Sequence, residues 1–179
     1  EFFANTNTIE VPGAFVQFGV AVQNTAGTVI DFNVYDGSTG EPTTVLATGS
    51  VPLADIVSDV NGGFATPVVF NTPATVTGDY FIGVELPTSA GDTLALFTNT
   101  IGDGTNTGWE QFSTGDWFAY NDTTASWGVD VSNAIFTVEC ALNTCPTINV
   151  NVNGTDAVCT ANNGTATASA TGGQAPYTY

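Results

Sequence analysis

Six aromatic residues, Trp109, Phe112, Trp117, Phe118, Tyr120 and Trp127, fall within one 20-residue stretch. Indole and phenol faces stack on sugar rings, and neighbouring Asn and Asp groups bind hydroxyls. Trp109, Trp117, Tyr120 and Trp127 are therefore candidate carbohydrate contacts. The competing reading is that two of the three tryptophans pack between sheets, where large aromatic side chains are usually found. Carboxylates supply the other reactive chemistry. Glu85, Glu110, Asp116 and Asp130 offer material for a two-carboxylate hydrolase, whose groups stand about 5–10 Å apart, but no pair is singled out by spacing.

Charge removes most other chemistries. The formal net charge is −17, from 17 Asp and Glu with no Lys, Arg or His. No Ser–His–Asp or Cys–His nucleophile can be assembled, no Lys can form a Schiff base, and no His can ligate zinc. Nucleic acid and anionic membrane surfaces need cationic partners, so neither is expected to bind. The usual means of tuning a catalytic carboxylate are missing too. The expectation is a protein that is not an enzyme.

Calcium is the one metal whose chemistry suits this composition, because it prefers hard oxygen donors. Asp36 and Glu41 share a turn, Asp55, Asp59 and Asn61 form a second cluster, and Asp103 with Asn106 a third. None has the EF-hand spacing. The alternative is that these residues form Asx-turns. Cys140, Cys145 and Cys159 all lie in the last 40 residues. They are candidate disulfide partners in an oxidising compartment, with Cys140–Cys145 or Cys145–Cys159 preferred and one thiol left for a partner elsewhere. Three reduced cysteines are the alternative.

The elements that must position these groups are strands. Period-two alternation recurs along the chain: Val16, Phe18, Val20 and Val22; Ile30, Phe32 and Val34; Tyr80, Ile82, Val84 and Leu86; Leu94 and Leu96; Phe118 and Tyr120; Val129 and Val131; Ile135, Thr137 and Glu139. Turn signals such as Asp36-Gly37, Asn61-Gly62-Gly63, Thr77-Gly78 and Gly115-Asp116 separate the runs. No window sustains an i, i+3, i+4 apolar pattern. One short helical turn is expected at Leu53–Ser58, with Pro52 at its start. The reading is all-β: an antiparallel, jelly-roll-like β-sandwich over residues 1–140. After Cys140 the apolar groups become small. Residues 141–179 read as thin strands of an incomplete small β-sandwich module, too short to bury a core alone. No apolar run approaches the ~20 residues of a membrane helix, so no membrane insertion is expected. The chain reads as a mature or excerpted segment.

The stretch Cys159-Thr-Ala-Asn-Asn-Gly-Thr-Ala-Thr-Ala-Ser-Ala-Thr-Gly-Gly-Gln-Ala-Pro-Tyr-Thr-Tyr179 resembles the SprB-type repeat of large surface adhesins from gliding Bacteroidota, through Gly172-Gly173, Pro176, Tyr177 and Tyr179. The Trp-Ser strand and closing Cys of that repeat are missing. Residues 1–140 look similar to jelly-roll domains of secreted proteins of those bacteria, on Phe32-Asn-Val-Tyr35-Asp36-Gly37 and Thr77-Gly-Asp-Tyr-Phe-Ile-Gly-Val84. The resemblance implies a secreted or cell-surface location and type IX secretion cargo. Asp92-Thr93-Leu94 and Asp122-Thr123-Thr124 resemble the O-glycosylation motif of these bacteria, which makes Thr93 and Thr123 candidate acceptors. Asn121, Asn153 and Asn163 fit the N-linked sequon. The combined expectation is an extracellular structural or adhesive protein. It would self-associate into a filament when strand edges in residues 141–179 pair with a neighbour. The rival is a carbohydrate-binding accessory module of a secreted polysaccharide-degrading enzyme.

Overall fold

The computed structural model describes residues 1–100, 107–142, 149–155 and 165–171. The chain divides into two compact units, Glu1–Leu142 and Asn143–Tyr179. The first unit contains β1 (Phe2–Phe3), β2 (Thr8–Val16), β3 (Phe18–Val22), β4 (Val29–Asp36), β5 (Val45–Pro52), α1 (Leu53–Gly62), β6 (Thr66–Thr77), β7 (Tyr80–Val84), β8 (Thr93–Leu96), β9 (Trp109–Gln111), β10 (Trp117–Ala119) and β11 (Ile135–Ala141). The second contains β12 (Asn149–Thr155) and β13 (Thr165–Thr171).

The fold is an all-β sandwich. One sheet has the order β1-β7-β4-β5 and the other β11-β2-β6, and β3 pairs with β8. Among the described residues every strand pairing is antiparallel. Alternate residues of each strand meet in one core: Ile30, Phe32 and Val34 of β4, Tyr80 and Ile82 of β7, Val11 and Val16 of β2, and Val68, Phe70 and Val76 of β6. Tyr80 is fully buried, and its hydroxyl ties β7 to β11, 2.9 Å from Thr137 Oγ1 and 2.7 Å from Glu139 Oε1. Burial, above all, pushes the Tyr80 phenol well above its ordinary range.

The structure departs from the sequence expectation at several points, the simplest being that the run expected at Val129 and Val131 is not a strand. Strands β2 and β6 were not anticipated: the alternation of β2 changes phase within the strand, whereas that of β6 keeps its phase at Val68, Phe70, Ala74 and Val76 but is interrupted by the exposed Asn71, Thr72 and Pro73. In β2 the inward residues are Ile9 and Val11, then Ala14 and Val16, with a register shift between Val11 and Gly13. A bulge of this kind moves the following side chains to the opposite face. The run Val16–Val22 also splits. Phe18 is buried, but a shift between Phe18 and Val20 leaves Val20 and Val22 exposed. Finally, the helical turn expected at Leu53–Ser58 is a full helix to Gly62. Leu53, Ile56, Val57 and Val60 stand at i, i+3, i+4 and i+7 and pack on the core, a helical stripe that the β-rich surroundings hid. Gly63 ends it at φ 73°, a left-handed conformation suited to glycine.

The outer face of the β11-β2-β6 sheet carries an exposed row of apolar groups. Phe136 stands opposite Phe15, and Phe15 opposite Pro67; Phe15 and Phe136 are both exposed.

Candidate ligand-binding cleft

The outer face of the other sheet is built differently. With Tyr80 and Ile82 turned inward, the period of two turns Phe81 and Gly83 of β7 outward. On β4, with Phe32 and Val34 inward, Asn33 and Tyr35 face out. The β9–β10 hairpin lies over this face. Its register sets Trp117 opposite Gln111 and Ala119 opposite Trp109, so both tryptophans project from one side of the ribbon. Trp109 meets Phe81 edge-on, with centroids 5.5 Å apart, and Trp117 meets Tyr35 edge-on at 5.2 Å. These T-shaped contacts suit the aromatic quadrupole. The packing role expected for two of the tryptophans is therefore present, on the outer face of a sheet rather than between the sheets.

What remains open beside these rings is a cleft of about 810 Å³. All four sequence-predicted sugar contacts, Trp109, Trp117, Tyr120 and Trp127, line it. Trp109, Trp117 and Tyr120 are half-buried, whereas Trp127 is 72% exposed. Tyr120 lies against Gly108, where an added Cβ would come 2.4 Å from the ring and 2.9 Å from the Val131 carbonyl. The residue before Trp109 must therefore be a glycine for Tyr120 to reach the cleft.

Polar groups line the cleft as well. Glu1, Glu85, Glu110, Gln111 and Asn133 all contribute. Asn33, 5% exposed, organises one side. Its Nδ2 donates to Glu85 Oε1 at 2.9 Å and to the Tyr35 hydroxyl at 3.3 Å, and its Oδ1 accepts from Thr48 Oγ1 at 2.6 Å. Ser126 Oγ donates to Glu110 Oε1 at 2.5 Å. Burial raises the pKa of Tyr35, against a lowering hydrogen bond from Asn33. Burial likewise raises that of Tyr120, opposed by the Asn133 hydrogen bond and reinforced by Glu110 and Glu1. Both phenols stay protonated at neutral pH and can donate. The cleft can thus stack a ring, accept hydrogen bonds through carboxylates and donate them through phenols and amides.

Of the possible hydrolase carboxylates, Glu85 and Glu110 line the cleft; Asp116 and Asp130 do not. Sequence reasoning missed Asn33, Tyr35 and Phe81 as site residues. The one available signal was Asn33 itself, an amide set between Phe32 and Val34 in the strongest strand pattern of the chain.

Residues 147–179 match the family model of the SprB repeat. No curated protein and no solved structure matches the chain. The SprB repeat is typical of surface proteins of the adhesin type. Among the described residues, no helix is long and apolar enough to cross a membrane, which says nothing of a β-barrel. Within the SprB segment, β12 and β13 pair without a break from Asn149↔Thr171 to Thr155↔Thr165. Asn153, Thr165, Thr167 and Ser169 are exposed there.

The other predicted sites scatter over the surface. Asp36 accepts from the Ser38 N–H at 3.1 Å and from Ser38 Oγ at 2.9 Å, an Asx-turn, with Glu41 exposed in the same loop. Asp55 and Asp59 stand one turn apart on α1, and Asp103 lies outside the described residues. Among the described residues, no group of three or more acidic or Cys side chains converges to hold a metal. Cys140, expected to be half of a disulfide, carries a free, exposed thiol on β11 opposite Glu10. Cys145 and Cys159 lie outside the described residues. Thr93, Asn121, Thr123 and Asn153 are exposed, and Asn163 is outside the described set. The aspartates preceding Thr93 and Thr123 have structural roles. Asp92 accepts from the Asn24 and Thr25 N–H groups and from Thr28 Oγ1. Asp122 accepts from the Thr124 and Ala125 N–H groups and from Thr124 Oγ1. Hydrogen bonds from these threonines, foremost, hold both carboxyls below their usual pKa.

Proposed function

We propose that this chain is a non-enzymatic, extracellular adhesive module of a surface protein, and that its first unit holds polysaccharide in the aromatic cleft. The observation that carries the reading is the convergence of Trp109, Trp117, Tyr120 and Trp127, dispersed along hairpin and loop, on one cleft already furnished with hydrogen-bonding groups. Aromatic rings with a few fixed polar groups are what a ligand pocket requires. The non-enzymatic half of the reading rests on composition: no His, Lys or Arg is available to tune or assist a carboxylate. The SprB match at residues 147–179 supports the location. Native affinity electrophoresis through gels containing soluble polysaccharides tests the site. Retardation by at least one polymer is expected, with loss of at least about tenfold in affinity for Trp127→Ala, on the scale of about 1.4 kcal/mol per tenfold. Unchanged retardation in that variant refutes the assignment of the cleft.

A second reading concerns assembly. Among the described residues, β12 and β13 form a two-stranded sheet with no third strand, and such a ribbon is marginal by itself. Pairing of its edges with strands of a neighbouring subunit would build a filament. Electron microscopy of the chain with and without residues 146–179 tests this, and filaments that persist after the deletion refute it. The exposed Thr93, Thr123 and Asn121 are proposed glycan acceptors, and the intact mass of protein from its native source decides the matter.

A further inference from the structure

We infer that the sugar taken by this cleft carries free ammonium groups, so that the occupant is an amino-sugar polymer and not a neutral or uronic one. The inference deepens the reading of the cleft as a sugar site and rests on it. Its first ground is charge. Three carboxylates, Glu1, Glu85 and Glu110, line the cleft. The one cation beside them, the α-ammonium of Glu1, is turned to the Ile82 carbonyl at 2.9 Å, and burial lowers its pKa to about 6. The chain has no Lys, Arg or His side chain to balance the rest. A uronic or sulfated polymer finds phenol and amide donors there but meets the repulsion of these carboxylates. A neutral ring displaces water from the carboxylates and returns no counter-charge, which carries a desolvation cost. An ammonium group returns it.

The second ground is pre-organisation. Glu85 is not a free-swinging surface carboxylate, because Oε1 is held by Asn33, and Asn33 is buried and itself fixed by Thr48. Oε2 is the oxygen left for a ligand, and little rotamer freedom is lost when it is used. Glu110 is likewise held through Oε1 by Ser126. The third ground is the aromatic wall. A cation close to the face of Trp or Tyr is attracted by the ring quadrupole, so the surface that stacks a pyranose also favours its ammonium substituent. A lysine side chain could satisfy the carboxylates but presents no ring to stack, and for that reason the sugar is preferred to a basic peptide.

The test titrates the whole chain at low salt and about pH 6, below the range of an α-amino group. Four probes of equal length are compared: oligomers of β-linked glucosamine, of its N-acetylated form, of a uronic acid, and of lysine. The glucosamine oligomer is expected to bind at least about tenfold more tightly than the acetylated one, from one exposed ion pair and one cation–π contact together. The uronic oligomer should not bind. Glu85→Gln and Glu110→Gln should each lower the ratio of amino to acetylated affinity. Equal affinity for the two sugars overturns the inference while leaving the cleft a sugar site. Absence of binding by every sugar overturns the reading beneath it as well. Lysine oligomers that bind as tightly as glucosamine, or glucosamine binding unaffected by Trp127→Ala and Glu85→Gln, would reduce the effect to attraction by the acidic surface as a whole and overturn the inference.

Discussion

Replacing Asn33 by Asp probes the link between the sheet and the cleft. Asn33 is 5% exposed, and its Nδ2 lies 2.9 Å from Glu85 Oε1. The substitution is nearly isosteric and turns that donor into an acceptor. Two carboxylates then face each other, and unit charges about 4 Å apart repel by about 4 kcal/mol at an effective dielectric constant of about 20. Glu85 is exposed on its far side and can swing away, which removes part of the repulsion. The lost hydrogen bond adds about 1–2 kcal/mol. A net loss of about 2–4 kcal/mol at neutral pH follows. The sign with pH is set by the like-charge pair, which raises the pKa of one member in the folded state. Stability is therefore present while that group is protonated and is lost as pH rises through its folded pKa. Asn33→Asp should recover most of its loss as pH falls from about 7 to about 5. Asn33→Leu, which removes the same hydrogen bonds and adds no charge, should lose a similar amount with no recovery. Urea unfolding followed by tryptophan fluorescence at both pH values measures each. Asn33→Asp within about 0.5 kcal/mol of the parent at pH 7, or a profile parallel to that of Asn33→Leu, would refute the account of the hub.

Other expectations follow from packing and capping. Phe32→Ala, at a fully buried core position, should cost about 3–5 kcal/mol, whereas Phe136→Ala on the exposed outer row should cost less than about 1 kcal/mol; denaturant midpoints compare them. Gly108→Ala places a methyl group 2.4 Å from the Tyr120 ring and should cost about 1–3 kcal/mol while weakening sugar binding, both read by titration of the purified variant. Asp92 and Asp122 have depressed folded pKa values, so their contribution is present above the unfolded value of about 3.9 and is lost as pH falls through the folded one. The thermal midpoint should therefore drop below about pH 4, and Asp92→Asn should make that drop shallower.

Legibility of the fold followed from how well the local pattern agreed with burial. Strands β4 and β7 alternate without interruption, and their core residues Ile30, Phe32, Val34, Tyr80 and Ile82 could be read directly. In β2 the alternation changes phase at Pro12-Gly13, and a pattern that shifts phase at a bulge no longer reads as a strand; in β6 the phase holds, but the polar and proline residues Asn71-Thr72-Pro73 interrupt the apolar run. The helix was half visible because Pro52 marks its start, but its stripe of Leu53, Ile56, Val57 and Val60 spans only three turns. The aromatic contacts of the cleft were legible as types, since three tryptophans and a tyrosine so close in sequence demand an explanation. Their partners were not, because Phe81 lies 28 residues before Trp109 and Tyr35 lies 82 residues before Trp117, and only the pairing of β4 with β7 brings them together. The free thiol of Cys140 illustrates the opposite limit: spacing alone proposes a bridge, but the geometry that permits one lies outside sequence.

The most direct test is the nitrogen–proton spectrum of the indoles during a titration with sugar. The chain has three tryptophans, all three line the cleft, and three indole signals report on it with no labelling beyond nitrogen. Saturating glucosamine oligomer is predicted to shift the Trp127 signal most and those of Trp117 and Trp109 measurably, all along one binding curve. Binding that leaves all three signals in place would put the sugar elsewhere on the molecule and contradict the central claim.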